Sequence, residues 1–108
     1  MSRYRAANDL LVDTWIRYQQ FATTFEREVD YWAVLKLEDT CRRDPLEGLN
    51  IILAILGQDQ HPGIVEALRQ GPIQDLLAQE SPELHRQIEE TAQRNTMFAH
   101  LLGEARQA

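Results

Sequence analysis

Residues 44–57, DPLEGLNIILAILG, decide the fold of this 108-residue chain. Asp44 can accept a hydrogen bond from an orphan amide of a first helical turn, and Pro45 stands where its missing donor costs nothing. Glu47, three residues after the cap, completes the pattern of a capping box. The helix that begins here is apolar on nearly every side, and Gly57 stands where a left-handed residue would end it. We therefore expect a central, enclosed helix. Its predicted core positions are Leu49, Ile52, Leu53 and Leu56.

Downstream of this stretch, prolines recur at ten-residue intervals and punctuate the chain. Pro62, Pro72 and Pro82 each precede a short amphipathic run and are predicted to open a helix. A last helix, which contains Phe98, is predicted to stop near Gly103. No segment shows the alternation of polar and apolar residues that is typical of a strand.

Upstream, the first 44 residues contain neither glycine nor proline, which favours long helices. The first helix is predicted over about residues 9–22, with Asn8 as its N-cap, and the second over about residues 26–42. Thr23 and Thr24 predict the break between them, because β-branched, hydroxyl-bearing residues favour caps over helix interiors.

Together these elements predict an all-α fold. We expect a compact array of about six to seven helices, with the packing of a short α-solenoid or a HEAT-like stack. A chain of 12.5 kDa buries roughly two thirds of its unfolded surface around one core, so residues 1–108 are predicted to form a single domain. Residues 1–7 and 104–108 are predicted to be loose tails.

Composition narrows the functional class. Hydrophobic residues make up 44% and charged residues 26%, which is typical of a soluble globular domain and excludes disorder. Eleven Lys and Arg against 17 Asp and Glu give a net charge of −6, which argues against nucleic acid as a partner. The sequence has no apolar run long enough to span a membrane and no apolar start typical of a secretory signal. A cytoplasmic protein with no membrane partner is predicted.

The residues that could carry catalysis do not form a recognisable site. His61, His85 and His100 are 24 and 15 residues apart, spacings that do not match the helical ligand pairs of zinc. Cys41 lies next to two arginines, yet no positioned base accompanies it, and it continues an apolar helical stripe. Glycine-rich phosphate loops are absent from the sequence. We therefore predict a protein that is not an enzyme and has no cofactor, no metal and no catalytic residue.

Acidic residues and aromatic residues gather in the second predicted helix. A helical surface with this charge bias could steer and cover a basic cleft on a partner, although a soluble face without a partner has the same composition. The aromatic residues of the first third of the chain either pack the core or leave one exposed anchor. The predicted partner-binding residues are Glu26, Glu28, Asp30, Trp32, Glu38 and Asp39.

Several short motifs resemble a known pattern. They are Trp32-Ala33 with Leu37, Asp44-Pro45, GPIQDLL at 71–77, and Ile88-Glu89 with Ala92, Phe98 and Leu102. On these residues the chain resembles a small bacterial all-helical family catalogued as a domain of unknown function, over roughly residues 30–102. The family's acidic residues are replaced here by Arg43 and Gln74. The resemblance implies a helical fold and a bacterial origin, and it implies no catalytic residue.

Three functional hypotheses follow from these observations. The first is a non-enzymatic acidic protein-binding domain, most plausibly an immunity or antitoxin-type protein that occludes the basic active site of a bacterial toxin. The alternative is a self-associating structural or scaffold protein that forms a homodimer. A third is a small-molecule sensor or minor enzyme with a pocket between helices. An apolar patch without an acidic rim would favour the homodimer, and a large closed pocket with convergent polar groups would favour the third.

Overall fold

The computed structural model describes the backbone of residues 3–20 and 24–107, and the side chains of residues 8–20 and 28–107. Within these ranges the chain forms seven α-helices and no strand, which confirms the all-α prediction. The helices are α1 Arg3–Gln20, α2 Thr24–Arg43, α3 Pro45–Gln58, α4 Pro62–Gln70, α5 Pro72–Leu77, α6 Pro82–Arg94 and α7 Thr96–Gln107.

Proline opens four of these helices, as the sequence predicts, and α3, α4, α5 and α6 all begin at one. The residue before the proline supplies a cap in three of them. Asp44 Oδ1 accepts from the amide of Glu47 at 3.5 Å, His61 Nδ1 from the amide of Gly63 at 3.3 Å, and Ser81 Oγ from the amide of Leu84 at 3.2 Å. Local sequence thus determines where these helices start, because each cap and each proline act within one turn.

The capping box predicted at the start of α3 is only half formed. The amide of Asp44 already donates to Thr40 O at 2.8 Å, because α2 ends directly before it. Glu47 therefore has no amide to reach back to, and its Oε1 accepts from Asn8 Nδ2 at 2.6 Å. The box is replaced by a bond that ties α1 to α3.

Several predicted helix ends are wrong. Asn8 is not a cap, because α1 begins at Arg3, and residues 3–7 and 104–107 are helical and not loose. The predicted break between the first two helices is at Thr23 and Thr24. Thr23 lies outside the described residues, and Thr24 begins α2. Gly57 and Gly103 lie inside α3 and α7, and no described residue has a positive φ.

Tertiary contacts explain why α3 and α7 continue past their glycines. Beyond Gly57, the side-chain amide of Gln58 donates to Asp13 of α1 at 2.6 Å. Beyond Gly103, Ala105 is buried and its carbonyl accepts from Gln74 Nε2 at 3.0 Å. A glycine costs a helix only about 1 kcal/mol relative to alanine, so contacts of this kind outweigh it.

Helix α3 is the centre of the core, as predicted, and it contacts α1, α2, α5, α6 and α7. The prediction that it is enclosed is wrong, because Leu46 is 40% exposed and Asn50 and Ala54 also face solvent. Leu49, Ile52 and Leu56 are buried, but Leu53 is only half-buried at the edge of the core. Gly48 is also buried, against α2. A Cβ on Gly48 would lie 2.8 Å from Cys41 Sγ, so this crossing requires glycine.

The remaining helices close around α3. Helix α2 contacts α5, and α4 contacts both α1 and α7, so helices distant in the chain pack together. The molecule measures 39 × 32 × 23 Å, which makes it more globular than an extended stack of helical repeats. None of the described helices is both long and apolar enough to cross a membrane.

Candidate functional site

Helix α2 has two opposite faces. Its inner face packs on the core through Ala33, Leu37 and Cys41, each of which is completely buried. The opposite side, here called the outer face of α2, is turned to solvent. It consists of Glu28, Val29, Trp32, Leu35, Lys36 and Asp39.

Large apolar side chains lie exposed on this outer face. Val29 is 57%, Trp32 43% and Leu35 50% exposed, and steps of three residues place them next to one another on the helix surface. Tyr31 lies beside them, with its ring 5.7 Å from that of Tyr18 in α1. Scattered apolar residues are normal on a protein surface, whereas a contiguous group is a candidate contact site. The sequence left open whether Trp32 was core or anchor, and the structure places it at the surface.

Asp30, one of the predicted partner-binding residues, does not lie on the outer face. It is buried at 4% exposure, and both of its carboxylate oxygens accept from Arg17 of α1, at 2.7 and 2.8 Å. These hydrogen bonds, opposed in part by burial and aided by the Arg17 charge, hold the pKa of Asp30 below its ordinary value. Asp30 therefore joins α1 to α2, and its charge is not available for steering a partner.

The other acidic residues of α2 are largely compensated by arginine. Glu38 pairs with Arg42, and Asp39 pairs with Arg43 at 2.9 Å. Glu28 is exposed and forms no ion pair with any described residue, while the side chain of Glu26 lies outside the described residues. The negative charge of α2 is consequently weaker than the sequence predicts, because arginines four residues further along the helix offset two of its carboxylates.

Carboxylates without a cation gather elsewhere, along the contact between α1 and α3, here called the α1–α3 seam. Asp13, Glu47 and Asp59 each accept a 2.6 Å hydrogen bond from a carboxamide of the facing helix or its end. None of the three forms a salt bridge with the described residues. An amide satisfies an oxygen without neutralising its charge, so these three carboxylates keep their negative charges.

A groove of about 270 Å³ lies beside α2, on the side that faces α4 and α5. Apolar side chains form one part of it, and the polar side chains of four helices converge on the rest. The lining includes Trp15, Gln19, Val34, Glu38, Gln70 and Asp75. Glu38 is thus a predicted site residue that the structure places at the junction of the outer face and this groove.

Asp75 is the functional candidate that sequence reasoning missed. Its carboxylate is half-buried and forms no hydrogen bond with any described residue. Burial and the negative charge of Glu38 raise its pKa, and Arg42 lowers it in part. Thirty-seven residues separate Glu38 from Asp75, so no local pattern could bring them together. The one signal was the position of Asp75 inside the GPIQDLL motif.

Cys41 lies behind this groove and is inert. Burial, and to a smaller extent the charges of Asp75 and Glu38, raise its pKa to about 12, so the thiolate is absent at neutral pH. The prediction that Cys41 is a core residue is confirmed by its complete burial.

The histidines lie on different elements: His61 caps α4, His85 lies in α6 and His100 in α7. His85 Nε2 lies 2.7 Å from Gln79 O, and His100 pairs with Glu104 at 3.0 Å. In the part of the chain that the structure describes, no three His, Cys, Asp or Glu residues converge as a metal site would require.

Comparison with known proteins gives one result. No curated protein and no solved structure matches the chain significantly. A match to the family of unknown function DUF6869 covers residues 19–107, a wider range than the motifs alone indicate. The match includes all of α2 to α7, and with them the outer face of α2 and the lining of the groove apart from Trp15. By this match the chain belongs to the DUF6869 family.

Proposed function

We propose that this protein is a non-enzymatic binding protein that recognises a partner protein through the outer face of α2. The observation that carries this proposal is the exposure of Trp32 between Val29 and Leu35 on a helix whose inner face is completely buried. Tryptophan is enriched among the residues that dominate binding energy, because its large ring is apolar and its N–H is a donor.

The fold supports such a role because it anchors the helix that carries the outer face. The backbone beneath Trp32 is fixed by Ala33 and Leu37 in the core and by the ion pair between Asp30 and Arg17. A surface that is already ordered loses little conformational entropy when it binds, which favours affinity.

Charge supports a basic partner. Glu28 lies at one end of the outer face without an ion pair to any described residue, whereas Lys36 and the Asp39–Arg43 pair balance the charge at the other end. The carboxylates of the α1–α3 seam, which accept from amides, add a longer-range negative potential. These carboxylates and the net charge of −6 fit a protein that presents basic groups around its own apolar contact. We infer that the partner is a bacterial toxin or effector with a basic active site, which this protein would neutralise by occlusion as an immunity or antitoxin-type protein.

A homodimer is the second candidate, since the same exposed apolar residues could pair with those of another copy about a two-fold axis. Light scattering coupled to size-exclusion chromatography distinguishes the two. If the measured molar mass stays that of a monomer over a wide concentration range, the result supports recognition of a different protein. A dimer that Trp32→Ala dissociates supports self-association.

Growth rescue tests the proposal in cells. Products of genes adjacent to the one encoding this chain would be expressed singly, and those that arrest growth would be co-expressed with the protein. Rescue by the wild type and loss of rescue by Trp32→Ala is the expected result. Leu10→Ala is the matched control, because Leu10 is 60% exposed but lies on α1. If Trp32→Ala rescues as fully as the wild type, the outer face of α2 is not the binding surface.

Interaction kinetics with the captured partner test the charge component. Reversing Glu28 to lysine is expected to slow association, and the slowing should shrink at high salt, because exposed charges act on encounter. Trp32→Ala should act on the dissociation rate. Unchanged association for Glu28→Lys would assign electrostatic steering to the α1–α3 seam.

A further inference from the structure

The groove between α1, α2, α4 and α5 combines two kinds of surface. Trp15, Val34 and Pro72 provide an apolar wall, and Glu38 and Asp75 provide two carboxylates from different helices. Its volume, about 270 Å³, and its opening to solvent suit one extended side chain and not a large cofactor. A lysine or arginine side chain has the matching form, with an apolar stem and a cationic head.

The charges in the groove are incompletely compensated. Arg42 reaches Glu38 through Oε1, and no described residue bonds Glu38 Oε2. Asp75 has neither a hydrogen bond nor an ion pair within the described residues, although it is partly withdrawn from water. Arg42 offsets part of the charge of both carboxylates, but Asp75 remains half-buried without a hydrogen bond to a described residue, and a further cation between Asp75 and Glu38 would reduce that cost.

Carboxamides complete the polar lining. Gln19 of α1 and Gln70 of α4 also border the groove. Gln70 already donates to Glu66 at 2.6 Å through its Nε2, which leaves its carbonyl oxygen available as an acceptor. Carboxylate and amide oxygens together can accept the several N–H groups of a guanidinium, which presents five donors in a planar fork.

We propose that this groove receives one arginine or lysine side chain of the partner protein, held between Glu38 and Asp75 with its stem along Trp15 and Val34. This inference rests on the proposed function, because a partner protein must supply the side chain. The cationic character of that side chain is inferred from the groove itself. Glu38 lies between the groove and the outer face of α2. When a partner binds on Trp32 and Leu35, a neighbouring residue of that partner can therefore enter the groove.

A titration of the ¹⁵N-labelled full chain tests the proposal without the partner. The probe is N-acetyl-arginine methylamide, and the matched control is the citrulline analogue, which has nearly the same shape without the charge. The expected result is a saturable shift of the Trp15 indole and of the Gln19 and Gln70 side-chain amides with the arginine probe. Asp75→Asn should weaken this binding about tenfold or more, since a hydrogen bond to a charged group is lost.

Two controls separate this result from trivial explanations. Asp9→Asn removes an exposed carboxylate of α1 outside the groove and should leave the titration unchanged. Thermal melts of both variants should be cooperative, and Asp75→Asn should melt no lower than the wild type, because it removes an unfavourable buried charge. Equal shifts with the citrulline analogue, or a titration that Asp75→Asn does not alter, would overturn the proposal.

The source of the cation is tested by comparing the blocked probe with free arginine. A groove that accepts a side chain from a protein should bind the blocked form at least as well. A clear preference for free arginine would overturn the assignment to a partner and indicate a site for a free amino acid.

Failure of this inference and failure of the proposed function have different signatures. Trp32→Ala should abolish growth rescue yet leave the probe titration intact, because Trp32 does not line the groove. If the probe binds selectively but Trp32→Ala still rescues growth fully, the outer face is not the binding surface and the proposal for the groove stands. If Trp32→Ala abolishes rescue but the probe does not bind, the outer face is the binding surface and the proposal for the groove fails.

Discussion

Helix α3 and the outer face of α2 use large apolar residues in opposite ways. Six residues of α3 are buried, and Ile52 and Ile55 have no exposed surface at all. On the outer face of α2, Val29, Trp32 and Leu35 each keep about half of their surface in water. The apolar residues of α3 hold the fold together. Those of the outer face contribute much less to folding, and the proposed function assigns them to a contact with a partner protein.

The number of neighbours explains the contrast. Helix α3 is contacted by five helices, α1, α2, α5, α6 and α7, and is open to solvent only along the stripe that contains Asn50, Ala54 and Gly57. Helix α2 is contacted by α1, α3 and α5, which leaves one side open. The same kind of side chain is core in one helix and surface in the other because of this arrangement.

The largest expected effect is on the centre of α3. Ile52→Ala should lower the free energy of unfolding by about 2 to 5 kcal/mol, because a fully buried side chain leaves a cavity. Trp32→Ala, although it removes a larger side chain, should cost roughly 1 kcal/mol or less because the ring is already half in water. Urea melts of both variants measure the difference. Comparable losses would mean that the outer face of α2 is part of the core and would break the contrast.

The glycines of α3 sharpen the comparison within a single helix. Gly48→Ala should destabilise the protein by about 1 to 3 kcal/mol, since its Cβ would meet both Cys41 Sγ and the α2 backbone. Gly57→Ala should stabilise it by roughly 0.5 to 1 kcal/mol, because Gly57 is helical and no atom lies within 4 Å of the added Cβ. Thermal unfolding midpoints that move in the same direction would contradict the close crossing of α2 and α3.

The junction between α2 and α3 gives a smaller effect. Asp44→Ala should lower the free energy of unfolding by about 0.5 to 1 kcal/mol, through loss of an N-cap acceptor and of a favourable charge at the helix terminus. Because Asp44 Oδ1 lies 3.5 Å from the Glu47 amide, the expected loss is at the lower end of the range usual for removal of an N-cap. Asp44→Asn is the control, because it keeps the acceptor and should lose less. An unchanged urea midpoint for Asp44→Ala would show that Pro45 alone determines the helix start.

The smallest effects appear in the pH dependence of stability and have opposite signs. Arg17 holds the pKa of Asp30 below its ordinary value, so Asp30 stabilises the fold above its unfolded-state pKa, and this contribution is lost as pH falls through the folded-state pKa. Burial raises the pKa of Asp75, so the folded state gains relative stability as pH falls through that raised value.

Urea melts from neutral pH to about pH 3 measure both effects by comparison with single variants. Asp30→Asn should be less stable than the wild type at neutral pH, and the difference should shrink in acid. Asp75→Asn should be at least as stable as the wild type at neutral pH, and this advantage should shrink in acid. A destabilising Asp75→Asn would show that the carboxylate has a structural partner.

Much of the fold and part of the candidate site could be read from the sequence. Proline and cap residues act within one helical turn, so the starts of α3, α4, α5 and α6 followed from Pro45, Pro62, Pro72 and Pro82. The placement of Glu28, Trp32 and Asp39 on one exposed side of α2 agrees with helical periodicity. Asp30 breaks the pattern, because Arg17 of another helix binds it.

The sequence by itself determined the helical class, the proline-opened starts and an apolar α3, since these depend on residues that are neighbours in the chain. Only the tertiary structure decided which helix ends persist, which carboxylates are neutralised, and that Glu38 and Asp75 line one groove. Those outcomes depend on side chains brought together from distant segments. For example, the Glu47 carboxylate accepts from Asn8 of α1 and does not complete the capping box predicted at the start of α3. A local rule specifies what a residue can bond to, and packing determines which partner lies within reach.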